Sequence, residues 1–326
     1  MKRTQFFQAA VAMQLLLAVT ATTLMTACNS NDDDGPLAIG IPGITIDPND
    51  DECCSAEEAL LTYRFLDTVT PIPELRAEVG DLYDINVYSA TGSLHTGYND
   101  LYFVATKKKT GNYVKDFQIS GIRPVMLMTK MNMKHSTPTS IRATTFDTSL
   151  LAVRHAWVSF LMPTSDAGWW SIGYDAVVVK TVGALDEARI DIADLPKGQQ
   201  WLQSFKVDGN TYYLTLADPT SLRTGSNTLK AYISKKGSEA TTPYGLATEQ
   251  FIVDIDPRMP DMGNHTSPDN APLRLQSDGS YQGTINLTMT GLWRIHLTVK
   301  DTQGNVVAGG DDLKDGLSSL YWDVTI

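Results

Sequence analysis

Cysteine is scarce in this sequence, basic residues are fewer than acidic ones, and long apolar runs are absent beyond the N-terminus. Only three of the 326 residues are cysteine and none follows position 54, so disulfide bonds do not hold the main part of the chain together. With 26 basic and 37 acidic residues the net charge is −11, and we expect no nucleic-acid partner, because such partners require basic surfaces. The lack of a second apolar run excludes a chain that crosses a membrane repeatedly as helices.

Motifs of catalysis are missing as well. The sequence contains no G-x-S-x-G nucleophile turn, no H-E-x-x-H zinc motif and no glycine-rich phosphate loop. We therefore predict that the protein is not an enzyme and has no catalytic residues.

The N-terminus has the composition of a secretory signal peptide. Lys2 and Arg3 precede an apolar stretch from about Phe6 to Leu24, and the letters LMTAC, ending at Cys28, close it with small residues. This ending resembles a bacterial lipobox, which implies cleavage of residues 1–27 and attachment of lipid to Cys28 as the membrane anchor. The alternative is a soluble secreted protein in which Cys28 has no special role.

An acidic segment follows the predicted signal peptide. It begins with NSNDDD, which resembles the sorting signal that directs some lipoproteins to the outer face of the outer membrane. Cleavage after residue 27 removes two basic residues and no acidic ones, so the mature chain has a net charge of −13. Like charges with glycine and proline predict a flexible tether over residues 28–60. Within it, the adjacent Cys53 and Cys54 leave metal binding, intermolecular pairing, acylation or a reactive loop pair open, since neighbours rarely form a disulfide.

The remaining residues contain an internal repeat. The segment SLHTG at 93–97 recurs as SLRTG at 221–225, and GWWSI at 168–172 corresponds to GLWRI at 291–295. The offset of 128 between the first two segments relates three further pairs: Asn99 and Asn227, Leu101 and Leu229, and Met131 and Met259. Matched landmarks in one order indicate a duplication.

Each copy is patterned as strands. Polar and apolar residues alternate in runs such as TLKAYIS at 228–234 and WRIHLTV at 293–299, where His296 is placed on the wet face. Such alternation predicts antiparallel sheets packed as sandwiches. We therefore predict an all-β fold of two tandem immunoglobulin-like β-sandwich domains at residues 61–190 and 200–326. The boundary is expected near residues 185–203, where LPKG at 195–198 interrupts the strand pattern. Helical periodicity is weak except from Ala56 to Leu66.

Methionine is concentrated in two segments. Three of the eleven methionines belong to the predicted signal peptide. The other eight lie in MLMTKMNMKHSTP at 126–138, in RMPDMGNHTSP at 258–268, or shortly before the tryptophan motifs. Thioether sulfur selects Cu(I), and imidazole binds copper in either oxidation state. The sequence therefore predicts copper binding by six residues: Met131, Met133, His135, Met259, Met262 and His265.

The spacing of these residues decides how they converge. Met131, Met133 and His135 are two positions apart, so they share one side of an extended chain. A proline and a glycine bend the second segment, so its ligands meet only through a turn. Further ligands would come from the other copy, or from His95 or His155.

Core packing is the alternative for the same residue type, because methionine is a flexible filler of protein interiors. It is favoured for four methionines on predicted strands: Met126, Met128, Met162 and Met289. Trp170 and Trp293 are also expected in the core, between the sheets.

Four motifs of the second copy occur together in a known family. They are TGSN at 224–227, MPDMGNH at 259–265, YQG at 281–283 and MTGLW at 289–293. Through them, residues 211–301 resemble the YtkA-like domain family, which is related to the periplasmic part of FixH proteins. The resemblance implies an immunoglobulin-like sandwich, an association with copper handling or cytochrome oxidase maturation, and no catalysis. The first copy shares it only through the internal repeat.

Two functional hypotheses remain. In the first, the protein is a cell-envelope lipoprotein of the outer membrane, exposed at the cell surface, that binds Cu(I) or exchanges it with a copper donor or acceptor protein. In the second, it is a metal-free surface module that binds a protein or glycan partner, and the methionines only close each sandwich.

Overall fold

The computed structural model describes residues 40–47, 49–52 and 54–326. The predicted signal peptide, Cys28 with its lipid, the first part of the tether and Cys53 lie outside the described residues. Strands make up 52% of the structure and helices 8%, so the prediction of an all-β fold is confirmed. Among the described residues, no helix is long and apolar enough to cross a bilayer.

A single α-helix in the described part of the chain, α1 (Ala56–Leu66), begins and ends where the sequence pattern predicts. Ser55 caps its first turn. The Ser55 hydroxyl accepts a hydrogen bond from the Glu58 amide at 3.3 Å, and the Ser55 amide donates to the Glu58 carboxylate at 2.8 Å. The same carboxylate lies 3.1 Å from Lys115 Nζ, so the cap also connects the helix to the first sandwich.

The second half of the predicted tether is packed rather than free, which corrects the prediction for the described part of residues 28–60. Ile41, Ile46 and Cys54 are buried in a cluster with Tyr113 and other residues of the first sandwich. The Cys54 amide donates to the Tyr113 carbonyl oxygen at 2.9 Å. The acidic composition predicted solvation of the whole segment, but its few apolar side chains are enough to bind it to an apolar face.

Two antiparallel sheets form the first sandwich. The larger sheet has seven strands: β1 (Thr70–Pro71), β2 (Ala77–Val79), β3 (Tyr83–Ser89), β5 (Gly97–Lys107), β6 (Tyr113–Val114), β9 (Thr144–Thr145) and β10 (Val153–Phe160). The smaller sheet has four: β7 (Phe117–Met128), β8 (Met133–His135), β11 (Gly168–Val178) and β12 (Thr181–Ile190). Two short strands pair in parallel: β4 (Leu94–His95) and β13 (Ile192–Ala193).

The first core lies between these two sheets. Ile85 and Phe103 of the larger sheet are fully buried with Trp170 and Tyr174 of the smaller one. The Tyr174 hydroxyl donates to the Leu75 carbonyl oxygen at 2.7 Å, so its polar end is satisfied inside the core.

The second sandwich is one antiparallel sheet that folds over its own core. Its ten strands are β14 (Leu202–Val207), β15 (Asn210–Ala217), β16 (Gly225–Lys235), β17 (Ile252–Met259), β18 (His265–Thr266), β19 (Ala271–Leu275), β20 (Tyr281–Leu287), β21 (Leu292–Lys300), β22 (Val306–Gly309) and β23 (Tyr321–Thr325). Four 3₁₀ turns lie between strands of the described chain: Pro73–Leu75, Pro219–Ser221, Pro260–Met262 and Lys314–Gly316. Trp322 of β23 donates from Nε1 to the Leu214 carbonyl oxygen of β15 at 3.3 Å, which joins the two ends of the sheet across the core.

A matching asparagine turn lies at the start of β5 in the first sandwich and of β16 in the second. The side-chain amide of Asn99 donates from Nδ2 to the carbonyl oxygens two and four residues earlier, at 2.9 and 2.7 Å. Asn227 makes the same two bonds at 2.8 and 2.7 Å. Gly97 and Gly225 allow the turn because both have positive φ, 76° and 96°. The SLHTG and SLRTG segments of the internal repeat therefore have the same local structure.

The outer faces of the two sandwiches pack on each other through aromatic rings. Trp157 and Tyr232 are stacked with centroids 4.5 Å apart and planes at 16°, and Tyr98 lies beside both rings. The Tyr244 amide also donates to the Thr137 carbonyl oxygen at 3.1 Å. The described residues belong to one compact unit, so the two sandwiches form a single body.

Three buried hydroxyls at this interface have no hydrogen-bond partner among the described residues. They belong to Ser159, Thr215 and Ser234, all of which are fully buried. Ser159 and Ser234 lie two residues from Trp157 and Tyr232 and thus on the same faces, and Thr215 is directly opposite Tyr232. Each unpaired hydroxyl opposes folding, because its hydration is lost without replacement.

We therefore expect Thr215→Val to stabilise the protein by about 1 kcal/mol, since valine has the same shape without the unpaired hydroxyl. Urea unfolding of the full-length chain measures the change. The matched control is Thr139→Val, because the Thr139 hydroxyl donates to the Trp157 carbonyl oxygen at 2.9 Å. The control should lose about 1 kcal/mol. A loss of stability in Thr215→Val equal to that of the control would contradict the assignment of an unpaired hydroxyl.

Cys54 is 2% exposed, and burial raises the pKa of its thiol to about 12. Because the thiolate is the reactive form, the folded protein should resist alkylation at this residue. We expect iodoacetamide at pH 8 to leave Cys54 unmodified in the native protein and to modify it after unfolding in guanidinium, as read by tandem mass spectrometry. Rapid labelling of Cys54 in the native protein would show that this segment opens readily.

Candidate functional site

The six residues predicted to bind copper lie on two hairpins, one in each sandwich. In the second sandwich, Met259 ends β17 and His265 begins β18, and the two are direct cross-strand partners. Met262 lies in the 3₁₀ turn between them, and the chain reverses through Gly263 and Asn264, with φ of 64° and 60°. This turn brings Met259, Met262 and His265 to one end of the hairpin.

The first hairpin differs from the expected extended segment. β7 ends at Met128 and β8 begins at Met133, so Met131 lies in the intervening turn, where Asn132 has φ of 47°. Met131 therefore does not share a strand face with Met133 and His135, which corrects that expectation. The sequence spacing could not reveal this, because it does not show where the first strand stops.

The cross-strand partners of the first hairpin are methionines that the sequence analysis had assigned to packing. Met126 is opposite His135, and Met128 is opposite Met133. Direct partners in an antiparallel pair project from the same face, so these four side chains form one surface. It runs from the core to solvent: Met126 is 1% exposed, Met128 and His135 are half-buried, and Met133 is 55% exposed.

A row of histidine, methionine and tryptophan crosses three adjacent strands in each sandwich. In the first row, Met126 has His135 as its partner on one side and Trp170 on the other. In the second row, Met259 is paired with His265, and it lies beside Trp293 because Arg258, just before Met259, is the partner of Arg294, just after Trp293. In the sequence, the two-residue spacing of Met126 and Met128 was the pattern that could have placed Met126 on the same strand face as the row.

Both tryptophans of these rows are fully buried, as predicted, and are fixed by the same hydrogen bond. Trp170 Nε1 donates to the Met162 carbonyl oxygen at 2.9 Å, and Trp293 Nε1 donates to that of Met289 at 2.9 Å. The methionines predicted to pack in the core do so: Met126 is part of the first core, Met128 and Met162 pack against it, and Met289 packs against the second.

Glycines give the row methionines their space. A Cβ on Gly168 would lie 2.8 Å from the terminal methyl of Met126 and 2.6 Å from the Leu127 carbonyl oxygen. A Cβ on Gly291 would lie 3.0 Å from the methyl of Met259. The glycine two residues before each row tryptophan therefore allows the methionine to pack beside the indole.

The His135 ring has one satisfied and one unsatisfied nitrogen. Nδ1 is 3.0 Å from the Ser136 carbonyl oxygen, and because that oxygen can only accept, Nδ1 carries the proton of this hydrogen bond. Nε2 is buried and has no hydrogen-bond partner among the described residues, so a lone pair points into the protein unmatched. The ring stands edge-on to Trp170, with centroids 5.3 Å apart.

His265 has a more open environment. It is exposed, its Nε2 lies 3.4 Å from the Thr288 hydroxyl, and its ring is 6.4 Å from that of Trp293. Met262 in the adjacent turn is 54% exposed, whereas Met259 is 3% exposed. The second row is therefore accessible from solvent at His265 and closed at Met259 and Trp293.

The other histidines have different partners. His155 Nε2 is 2.5 Å from Asp100, and the His95 ring packs against Trp201, so the expectation that either supplies a further ligand has no support from its contacts. The prediction that His296 is a surface residue is wrong: it is 6% exposed, and its Nδ1 is 2.6 Å from the Ser318 carbonyl oxygen. The loop before β23 covers the face that alternation marked as wet.

Within the described part of the chain, no three histidine, cysteine, aspartate or glutamate side chains surround a common metal position. The six predicted residues offer only histidine nitrogen and methionine sulfur as ligands. Comparison of the chain with models of known protein families and with curated proteins finds no match.

We expect Gly168→Ala to destabilise the protein by about 1–3 kcal/mol, because the added methyl overlaps Met126 and the β7 backbone. Gly245→Ala is the matched control, since nothing lies within 4 Å of its Cβ position. Denaturant unfolding with tryptophan fluorescence compares the two. Equal stabilities would mean that the first row does not depend on the close approach of Met126 to β11.

Proposed function

We propose that this protein is a cell-envelope lipoprotein without enzymatic activity that binds Cu(I), or passes it on, through methionine and histidine side chains on the hairpins of its two sandwiches. The observation that carries the proposal is the unpaired Nε2 lone pair of His135 beside methionine side chains. A neutral imidazole and thioethers form the donor set that a soft monovalent ion prefers.

The orientation of His135 supports this assignment. Histidines that bind metals usually donate their other ring N–H to a carbonyl or carboxylate, which fixes the ring and its tautomer. The Nδ1 contact with Ser136 is of this kind. It leaves Nε2 as a lone-pair donor that no described group satisfies, and a buried polar atom without a partner is unfavourable unless something binds it.

The residues that would hold the ion differ between the copies. In the first copy they are His135 and Met133 from the predicted set, with Met128, the partner of Met133, added by the register. Met131 in the turn is exposed beside them. In the second copy they are Met259, Met262 and His265. Cu(I) would be bound cargo and would perform no chemistry. The surrounding residues of the chain would orient the sulfur and nitrogen ligands and limit access of water.

Exposure favours exchange of the ion with another protein. Met131, Met133 and Met262 are each 54–55% exposed, so a donor or acceptor protein can reach a sulfur of either hairpin directly. The lipobox favours a lipid anchor on Cys28. The acidic segment after it favours a location on the outer membrane, exposed at the cell surface. The resemblance to YtkA-like domains, with their immunoglobulin-like fold, supports the same assignment.

The metal-free alternative is favoured by the burial of Met126 and Met259. Both fill space in a core and touch a glycine of the neighbouring strand, which is the behaviour of packing residues. Under this alternative the hairpins close the sandwiches, and the protein acts through another surface.

Anaerobic titration of the full-length protein with Cu(I), in competition with the chelator bicinchoninate, tests the proposal. We expect stoichiometric binding, and we expect His135→Ala to weaken the first site by about 100-fold or more, because loss of a direct ligand exceeds the effect of losing an outer partner. His265→Ala should remove the second site independently.

His95→Ala is the matched control for His135→Ala. The His95 Nδ1 is 2.8 Å from the carbonyl oxygen of the next residue, as in His135. Its ring is edge-on to Trp201, as the His135 ring is to Trp170. The surface cleft that His95 lines contains no methionine. It should leave copper binding unchanged. Absence of competitive binding in the native protein, or equal losses in both variants, would favour the metal-free module.

A further inference from the structure

A cleft of about 630 Å³ lies where the two sandwiches meet, next to the stacked Trp157 and Tyr232. The first sandwich contributes Ile141, Arg142 and Phe146 to its lining, and the second contributes Leu246 and Lys230. Cavities that bind small molecules have volumes of roughly 300–1,000 Å³ and occur preferentially at domain interfaces. The cleft is therefore of the right size and in the right place for a small ligand, and it is separate from the two hairpins.

Apolar side chains are unusually exposed in this cleft. Ile141 is 48% exposed, and Phe146 and Leu246 are each 40% exposed. Phe146 is held in place by ring contacts with Phe65 and Tyr102 at 5.2 and 5.0 Å. Apolar surface that remains in water without relaxing into the core marks a place where burial by a partner is favourable.

The charges of the cleft leave one cation unmatched. Lys230 Nζ lies 3.4 Å from the Asp278 carboxylate and also over the Tyr232 ring. His155 is paired with Asp100. Arg142 is exposed and lines the cleft, and its side chain has no ion pair or hydrogen bond with any described residue. A guanidinium beside an apolar recess recognises a carboxylate or a similar planar anion by two parallel hydrogen bonds.

The hydroxyls of the cleft argue against a sugar as its ligand. Thr139 donates to the Trp157 carbonyl oxygen at 2.9 Å, and the Ser140 hydroxyl accepts from the Trp157 amide at 2.8 Å. These two groups are occupied by the backbone of the sheet, so among the serine and threonine hydroxyls of the cleft only those of Thr144 and Thr145 remain for the many hydroxyls of a glycan. The Trp157 and Tyr232 faces are covered by each other and do not offer a stacking platform.

We propose that the cleft between the sandwiches binds a small organic anion with an apolar, aromatic or branched body and one acidic group, which pairs with Arg142 while Ile141, Phe146 and Leu246 cover the body. This site does not depend on copper binding, because none of the hairpin methionines or histidines lines the cleft.

Saturation-transfer NMR with naphthalene-1-acetate tests the proposal on the full-length protein, with the uncharged naphthalene-1-acetamide as a matched probe. We expect the acid to bind at least tenfold more tightly than the amide. Arg142→Gln should abolish this difference, and Phe146→Ala should weaken both probes. Copper-free protein is used throughout, so the result for the cleft does not depend on whether the hairpins bind copper.

Arg223→Gln is the control, because Arg223 is likewise exposed and its side chain has no partner among the described residues, but it does not line the cleft. It should leave the preference for the acid intact. No binding of either probe, equal affinity for acid and amide in the native protein, or displacement of the acid by maltotriose would overturn the proposal. An unchanged thermal transition in Arg142→Gln shows that lost binding does not reflect unfolding.

Discussion

Two tryptophans, each tied by its indole N–H to a methionine carbonyl oxygen, set the geometry at one end of both sandwiches. Trp170 and Trp293 are wholly buried, so the strand that carries each of them has a fixed position relative to its neighbours. A second methionine beside each indole, Met126 or Met259, packs against the glycine two residues before the tryptophan. The histidine opposite that methionine stands beside the indole. Sulfur and imidazole thus occupy a defined edge of each core, and every functional reading of the hairpins starts from that arrangement.

The copies have diverged in how far they enclose this edge. In the first, the strand pair continues for two residues beyond Met126 and His135, to Met128 and Met133, and the buried His135 Nε2 has no hydrogen-bond partner among the described residues. In the second, the strand pair ends at Met259 and His265, and the turn between them leaves the histidine exposed. The same residue types therefore create a sheltered and an open environment within one body.

Sequence patterns predicted the strands, the helix from Ala56 to Leu66 and the buried tryptophans, because alternation and capping are local properties. They failed where a distant segment decides the outcome. The outward face at His296 is covered by a later loop, and Ile46 finds an apolar surface that its acidic surroundings did not suggest. The repeat offset aligned Met131 with Met259, whereas hairpin register makes Met126 its counterpart, since only pairing reveals the turn length.

The stacked rings between the sandwiches have a consequence for each half on its own. A sandwich without its neighbour would have this outer sheet face in water, but here Trp157 and Tyr232 occupy those faces and are 4% and 6% exposed. Separation would expose both rings, so each sandwich needs the other to cover its outer face. Each half therefore has a role as a cover that depends on its ring-bearing face and not on its hairpin.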